Sequence, residues 1–419
     1  MGMRDTELYF HLLGLVKPWS VESIELSVEK LRVDVKVEHP TGYVWQCPQC
    51  AHQGAVYDHS DERTWRHLDS CQFLTYLHAR IPRIKCPKHG VQQVAVPWAE
   101  PRSRFTLLFE RLCVEILRHS TVEGTAKILR LSWKEAMLLL ERAVDRGLAR
   151  REPRLPKELG IDDKHVGKSH PYLTVLYDLE QGTVVDALET RRDAPLRSYF
   201  LQFPAEQIAQ VQAVAVDMWE PYTRVVCSTI PNGFYKLVYD RFHIMQHANG
   251  AVDQVRAEEN RELRAKGDQR LSSTQTLFRY AQENLPARYQ ERFEALKQAE
   301  LKTGKAYALK ESLRALWACP DEETGKQHLS MWLQWAHRSG LTPIRNLARL
   351  VAAHAQGILN YFGHRITSAT CEGLNNAIAT LSKRAYGYRN LRNLRTALLF
   401  HLGGLNLYPV LPATHAIGR

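Results

Sequence analysis

Between Glu158 and His243, five short apolar runs follow one another in an order that few folds can accept. Leu159-Gly-Ile161 leads into Asp162. Pro171 to Leu179 is a second run and Gly182 to Glu189 a third, with Gln181-Gly182 as the turn between them. A short crossing helix is expected from Ala194 to Phe203. Val211 to Val216 is apolar but for Gln212, the pattern of a strand covered on both faces. A helix at Pro221 to Ser228 follows, and Lys236 to Tyr239 is the fifth strand, ending at Asp240-Arg-Phe-His243. The strands therefore make a three-strand meander, then a crossover, then two more.

That is the strand order of an RNase H-like core, which sets the ends of its first and fourth strands side by side. Asp162 in LGIDD and Asp217 in AVAVDMWEPY close those strands. A third acid, Glu372 in CEGLNN, lies in a helical stretch dense in Arg and Lys. Like carboxylates brought close repel unless cations bridge them, and hard oxygen ligands suit Mg²⁺. Two strand-end aspartates and a helical glutamate around a pair of divalent ions suit cleavage of phosphodiester bonds without a covalent intermediate. The plainer alternative is that each aspartate only caps the turn after its strand. Alternation puts Asp163 on the opposite face, outside the metal shell. Asp240 and His243 form a D-x-x-H pair, either a strand-end cap with a packed histidine or groups beside the scissile phosphate.

The first third has other signals. Residues 21–37 alternate as a half-buried β-hairpin, with Val21, Ile24, Leu26 and Val28 on one strand and Glu29-Lys30 at the turn. Cys47-Pro-Gln-Cys50 and Cys86-Pro-Lys-His89 are two-residue knuckles. Together they offer three sulfurs and an imidazole, a closed tetrahedral set for structural Zn²⁺. His52, His59, His67 and His78 are alternative ligands outside any knuckle. Residues 105–148 are helical by period, with Leu108, Leu112 and Ile116 on one face. Ser132 is an N-cap with Glu135 three residues on. The pattern is a helix-turn-helix, whose second helix would set Lys134 and Arg142 against phosphate or base edges; an ordinary helical hairpin is the alternative. Residues 150–157, RREPRLPK, read as a linker.

The net charge is +11, and no acid follows Glu372, whereas Lys383, Arg384, Arg389, Arg392, Arg395 and Arg419 do. That clustering, with Tyr386 and Tyr388 interleaved, suits a phosphate backbone and a stacked base. Between His243 and Gly357 lies a helical segment too long for a loop, in which Trp317, Trp332 and Trp335 read as core. No apolar run reaches the ~18 residues of a membrane span. A cytoplasmic, nucleoid-associated protein with reduced cysteines is expected; Cys71, Cys113, Cys227 and Cys319 read as core thiols.

The residues GIDD at 160–163, VAVDMWEPY at 214–222, YDRFH at 239–243, EGLNN at 372–376 and RAYGYRN at 384–390 resemble the bacterial insertion-sequence transposases of the IS-L-three family, within the DD-E superfamily. The resemblance spans nearly the whole chain. It departs at Thr367-Ser368-Ala369, where the family tends to show T-N-A, and at Ala379, where lysine is common. It implies that Asp162, Asp217 and Glu372 are a metal-binding catalytic triad and that Asp240 and His243 are its associated motif. It further implies two Mg²⁺ per site, with Mn²⁺ as a substitute, and double-stranded DNA as partner, both terminal inverted repeats and target. A homodimer or higher oligomer would pair the two ends. The expected architecture is α/β and multi-domain: a zinc-binding β-rich module at 1–100, a helix-turn-helix at 101–150, an RNase H-like core at 151–243 and 358–419, and an all-α insertion at 244–357. A non-catalytic DNA-binding regulator and a structure-specific nuclease are the rival expectations.

Overall fold

The computed structural model describes residues 4–50, 52–166, 170–189, 192–366, 369–388 and 390–411. Arg389 and Arg419, both noted for their charge, and Thr367-Ser368 lie outside the described residues. The chain divides into two compact units: one of residues up to Arg151 joined by those from Leu405 on, the other Glu152–Gly404.

The first unit begins with helix α1 (Asp5–Leu12). Strands β1 (Ser20–Ser27) and β2 (Arg32–Glu38) form the expected hairpin, and Ser27 opposes Arg32. Val33, Val35 and Val37 of β2 are buried, but Leu26 and Val28 on the other side are exposed. Alternation marks a face without saying that anything covers it. Strands β3 (Trp45–Gln46) and β4 (Gln53–Gly54) make a small pair. Strands β5 (Val56–Arg66), β6 (Leu74–Cys86) and β7 (Gly90–Gln93) complete the larger sheet, ordered β1-β2-β6-β5 with β7 also on β6. Its core centres on indoles: Trp19 meets Trp98 with ring centroids 4.8 Å apart, and Trp65 meets Trp98 at 5.5 Å.

Three helices follow, α2 (Leu107–His119), α3 (Val122–Leu129) and α4 (Trp133–Arg150). Each starts on a hydroxyl N-cap: Thr106, Thr121 and Ser132 accept from the backbone N–H groups of Phe109, Gly124 and Glu135. Glu135 closes the capping box at Ser132, as the sequence predicts. Arg130 ends α3 in the left-handed region, φ 55°, which turns the chain sharply into α4. The buried face of α2 is not the expected one. Leu107, Phe109, Cys113, Val114 and Leu117 go inward, while Leu112 is exposed. Helical period fixes the spacing of a stripe and leaves neighbouring stripes to compete. Residues 405–408 pack back onto α4. Arg146 donates to the Leu407 carbonyl at 2.7 Å and Arg150 to that of Tyr408 at 2.6 Å. A Cβ on Gly147 would lie 2.7 Å from Leu405 Cβ, so this contact needs glycine.

The second unit is built on a mixed sheet of strands β8 (Glu158–Val166), β9 (His170–Asp178), β10 (Thr183–Leu188), β11 (Ala213–Val216) and β12 (Leu237–Tyr239), in the order β10-β9-β8-β11-β12. β8, β9 and β10 are the predicted antiparallel meander, and β11 and β12 run parallel to β8. β11 is buried at every residue between its neighbours. The crossover carries α5 (Asp193–Phe200) and α6 (Ala205–Ala209), and α7 (Glu220–Thr229) follows β11. The fifth strand is shorter than expected because Lys236 ends the small helix α8 (Gly233–Lys236).

After β12 the described elements up to His364 are all helical. They are α9 (Arg241–Ala265), α10 (Gln275–Arg279), α11 (Ala287–Gln298), α12 (Lys302–Ala315), α13 (Glu322–His337), α14 (Thr342–Ala353) and α15 (Ala355–His364), with two short 3₁₀ turns. They share one continuous hydrophobic cluster with the sheet, from Leu155 to Phe362. Trp317 and Trp332 are buried there, but Trp335 is 41% exposed and is not core. Asn360 donates to the Phe234 and Leu237 carbonyls, both at 2.8 Å, and so stitches α15 to β12. Helices α16 (Ala369–Arg384) and α17 (Leu391–Leu402) end the unit. No helix among the described residues is long and apolar enough to cross a membrane. Of the four lone cysteines only Cys113 is buried; Cys71 and Cys227 are exposed and Cys319 is intermediate.

Candidate active site and metal centre

The two knuckles close on one another as their spacing predicts. The ligand atoms of Cys47, Cys50, Cys86 and His89 all lie within 4.8 Å of one another. Cys50 Sγ is 3.5 Å from Cys86 Sγ, and His89 Nδ1 is 3.6 Å from both Cys47 Sγ and Cys86 Sγ. A tetrahedral ion with Zn–S near 2.3 Å sets its sulfurs roughly 3.8 Å apart, so the donor set fits Zn²⁺. Burial opposes ionisation of Cys86. The N–H groups of Lys88 and His89, with the Cys50 and His89 side chains, outweigh it and bring the thiol down to about 6. A thiolate is the form a metal takes.

The acids of the second unit are aligned by strand register. Ala215 of β11 pairs with Gly160 of β8 and Val238 of β12, and Val216 pairs with Ile161 and Tyr239. One residue further on, that register puts Asp217 between Asp162 and Asp240. Three aspartates thus form a row just past the ends of β11 and β12 and beside the middle of β8; Asp162 does not close its strand as expected, because β8 runs on to Val166 against β9. Asp240 also caps α9, accepting from Phe242 N–H at 2.7 Å. One turn later His243 Nε2 stands 3.9 Å from Asp162 Oδ1 and 3.8 Å from Asp240 Oδ2. Burial raises the Asp217 carboxyl above its usual range. Asp163 and Asp162 add to the rise, while the Trp219 N–H and His243 oppose it. A cation beside the Asp217 carboxylate would favour its charged form. Asp163 points to the other face, where Thr174 at 3.1 Å and Tyr222 donate to it.

Glu372 comes to this neighbourhood on α16, and it lines one cavity with Asp240. Asn375, one turn on, donates to Asp162 Oδ2 at 2.7 Å and accepts from Tyr177 OH at 2.6 Å. Cys371 packs on β8 so closely that a Cβ on Gly160 would lie 2.6 Å from its sulfur. Burial, with Asp162 and Asp240 nearby, pushes that thiol up to about 12. Among the described residues, however, the oxygens of Asp162, Asp217 and Glu372 do not gather within 4.8 Å as the zinc ligands do.

Residues 159–398 match the family model described as "Transposase". Residues 44–89 match the zinc-finger of transposase IS204/IS1001/IS1096/IS1165, and residues 94–144 the helix-turn-helix domain of transposase family ISL3. The chain belongs to the ISL3 transposase family. The transposase for insertion sequence element IS1557 of Mycobacterium tuberculosis is 27% identical over 446 residues, covering 99% of this chain and 98% of that protein. The transposase for insertion sequence element IS1001 of Bordetella parapertussis is 27% identical over 384 residues, covering 90% and 94%.

Within this ISL3-family chain the basic residues expected at DNA divide into two sets. Lys134, Lys383, Arg384 and Arg392 are exposed. Tyr386 beside them is fully exposed and holds φ 54°, a costly backbone for a tyrosine. Arg142 instead turns inward, 3.0 Å from Glu100 and 3.2 Å from the buried Glu110, in a network completed by Arg146. Arg395 pairs with Asp186 of β10 at 2.6 Å. Both were read as DNA contacts because charge alone does not reveal an internal partner. Asn375 and Lys164, whose ammonium is 3.1 Å from Asp162, were not assigned to the site. Spacing could have found them: Asn375 follows Glu372 by one helical turn, and Lys164 shares a strand face with Asp162.

Proposed function

We propose that this DNA transposase binds the terminal inverted repeats of an insertion sequence and cuts and joins DNA strands with divalent metal ions at Asp162, Asp217 and Glu372. The observation that carries this reading is the row of aspartates set by strand register, with α16 packed across it. The strand order supports an RNase H-like core, and the helices from α9 to α15 an insertion within it. Mg²⁺ ions, when bound, would activate the attacking water or 3′-hydroxyl and stabilise the leaving oxygen. The chain's part is to hold and orient. Asn375 fixes the rotation of the Asp162 carboxylate. Lys164 balances its charge, and its ammonium must swing aside for an ion. His243, beside two aspartates, is placed to hold the scissile phosphate or to carry a proton from the leaving group. The zinc knuckles brace the β-rich module, and Lys134 meets phosphate at the element ends. Lys383, Arg384 and Arg392 extend the DNA surface. Pairing two ends calls for at least a dimer, working in the cytoplasm where the DNA is.

The test is cleavage of end-containing DNA with Mg²⁺. Asp162→Ala and Glu372→Ala are expected to bind the ends without cutting. Cutting at the parental rate would sink the assignment. Binding with no metal-dependent cutting by the parent would make the protein a regulator instead.

A further inference from the structure

Asp240 and Glu372 share a cavity of about 490 Å³. Small-ligand sites run from about 300 to 1,000 Å³, and one nucleotide falls in that range. Arg241, Phe242, Asn249, Arg279 and Trp317 line it further. Trp317 is buried, with the Arg241 guanidinium over its ring at 5.6 Å. Phe242, two residues from Asp240, meets the His243 ring edge-on at 5.7 Å and is otherwise 52% exposed, an apolar ring open to a ligand. The wall bearing Arg279 is rigidly built. Lys310, itself buried, donates to the carbonyls of Phe278 at 2.9 Å and Tyr280 at 3.0 Å on either side of it. Arg314 is committed to Glu283 and Glu311 and is not available to a ligand. The Asn249 amide oxygen is shut off from solvent and finds no hydrogen-bond partner among the described residues. A shielded amide oxygen with no partner is rare enough to need a reason.

We propose that this cavity takes one unpaired nucleotide of the strand held at the aspartate row, its base stacked on Phe242 and its edge met by the Asn249 amide. The proposal rests on the reading of Asp162, Asp217 and Glu372 as the cutting site. An aromatic face binds any base, an amide answers the base edge, and Arg241 and Arg279 draw the phosphate. The nucleotide comes either from a duplex that opens or from a strand already single.

The experiment uses the full-length zinc-loaded protein in Ca²⁺ and a duplex copied from the DNA flanking the gene. Four forms differ only at the nucleotide next to the cut: paired, mispaired, abasic, or placed in a single-stranded overhang. Mispaired or overhanging DNA is expected to bind about tenfold tighter than paired, because unpairing no longer costs anything. A gain for both forms means the duplex opens; a gain for the overhang alone means the strand is already single. The abasic form loses the gain. Phe242→Ala and Asn249→Ala, each first shown to melt like the parent, are expected to cut the preference to under about twofold. Equal binding of all forms by the parent, an abasic form as tight as the mispaired one, or an undiminished preference in both variants overturns the proposal. If the parent cuts these ends yet shows no preference, only the cavity proposal falls. If the parent does not cut these ends when Mg²⁺ replaces Ca²⁺, the cutting-site reading falls with it.

Discussion

Cys50 and Cys86 hold their sulfurs 3.5 Å apart, whereas the oxygens of Asp162, Asp217 and Glu372 stop short of that closeness. The difference follows from the ligands. Thiols and an imidazole can share protons and hydrogen-bond to one another, so two local knuckles bring them together at little cost. Carboxylates at neutral pH only repel. Strand register can set Asp162, Asp217 and Asp240 in a row, Asn375 and Lys164 can occupy Asp162, and His243 can reach both Asp162 and Asp240, but the described residues do not bring Asp162, Asp217 and Glu372 within 4.8 Å of one another. One set of ligands is drawn together by its own chemistry, and under the proposed function the other waits for ions to draw it in.

That contrast can be broken most directly at the acids. Glu372→Gln is expected to lower strand cleavage by about 10³-fold or more, as befits several kcal/mol of lost transition-state stabilisation, with no loss of thermal stability. A melting temperature that fell with it would mean Glu372 is structural. The zinc site should behave the other way. Chelation, or Cys86→Ser, is expected to abolish the cooperative melt of the first unit, since a structural zinc site contributes its binding energy to folding. Circular dichroism during chelator titration reads this directly. An unchanged melt would show that the four ligands hold without an ion. Asn375→Ala should cost ~10–100-fold in cleavage, the usual effect of removing a group that orients a metal ligand, while end binding stays unchanged. A drop in DNA affinity instead would move Asn375 to the DNA surface. The smallest effects separate Lys134 from Arg142 on α4. Lys134→Ala should flatten the salt dependence of end binding by about one unit of slope. Arg142→Ala should leave that slope alone and cost about 2 kcal/mol of stability through its lost pairing with Glu110.

Much of this was legible because it is local. The knuckles, the Ser132–Glu135 capping box and the meander each depend on residues a few positions apart. Strand order also gave the neighbours of β8 and β11. What failed depends on through-space partners. Nothing in residues 105–119 says which stripe of α2 meets α3 and α4. Arg142 and Arg395 look like free cations until Glu110 and Asp186 are beside them. Trp335 has the composition of a core residue on the wrong side of its helix. The set around Asp162 combines β8, α9 and α16, whose meeting no window of sequence contains.

The return of residues 405–408 to α4 has a consequence for how the first unit can be isolated. Arg146 and Arg150 take carbonyl partners 261 and 258 residues away in the chain, and Gly147 makes room for Leu405. The second unit, Glu152–Gly404, lies between the two segments in sequence. A fragment cut at Arg151 therefore leaves these three positions of α4 without the neighbours they have in the full chain, and only a fusion that restores the later segment returns them.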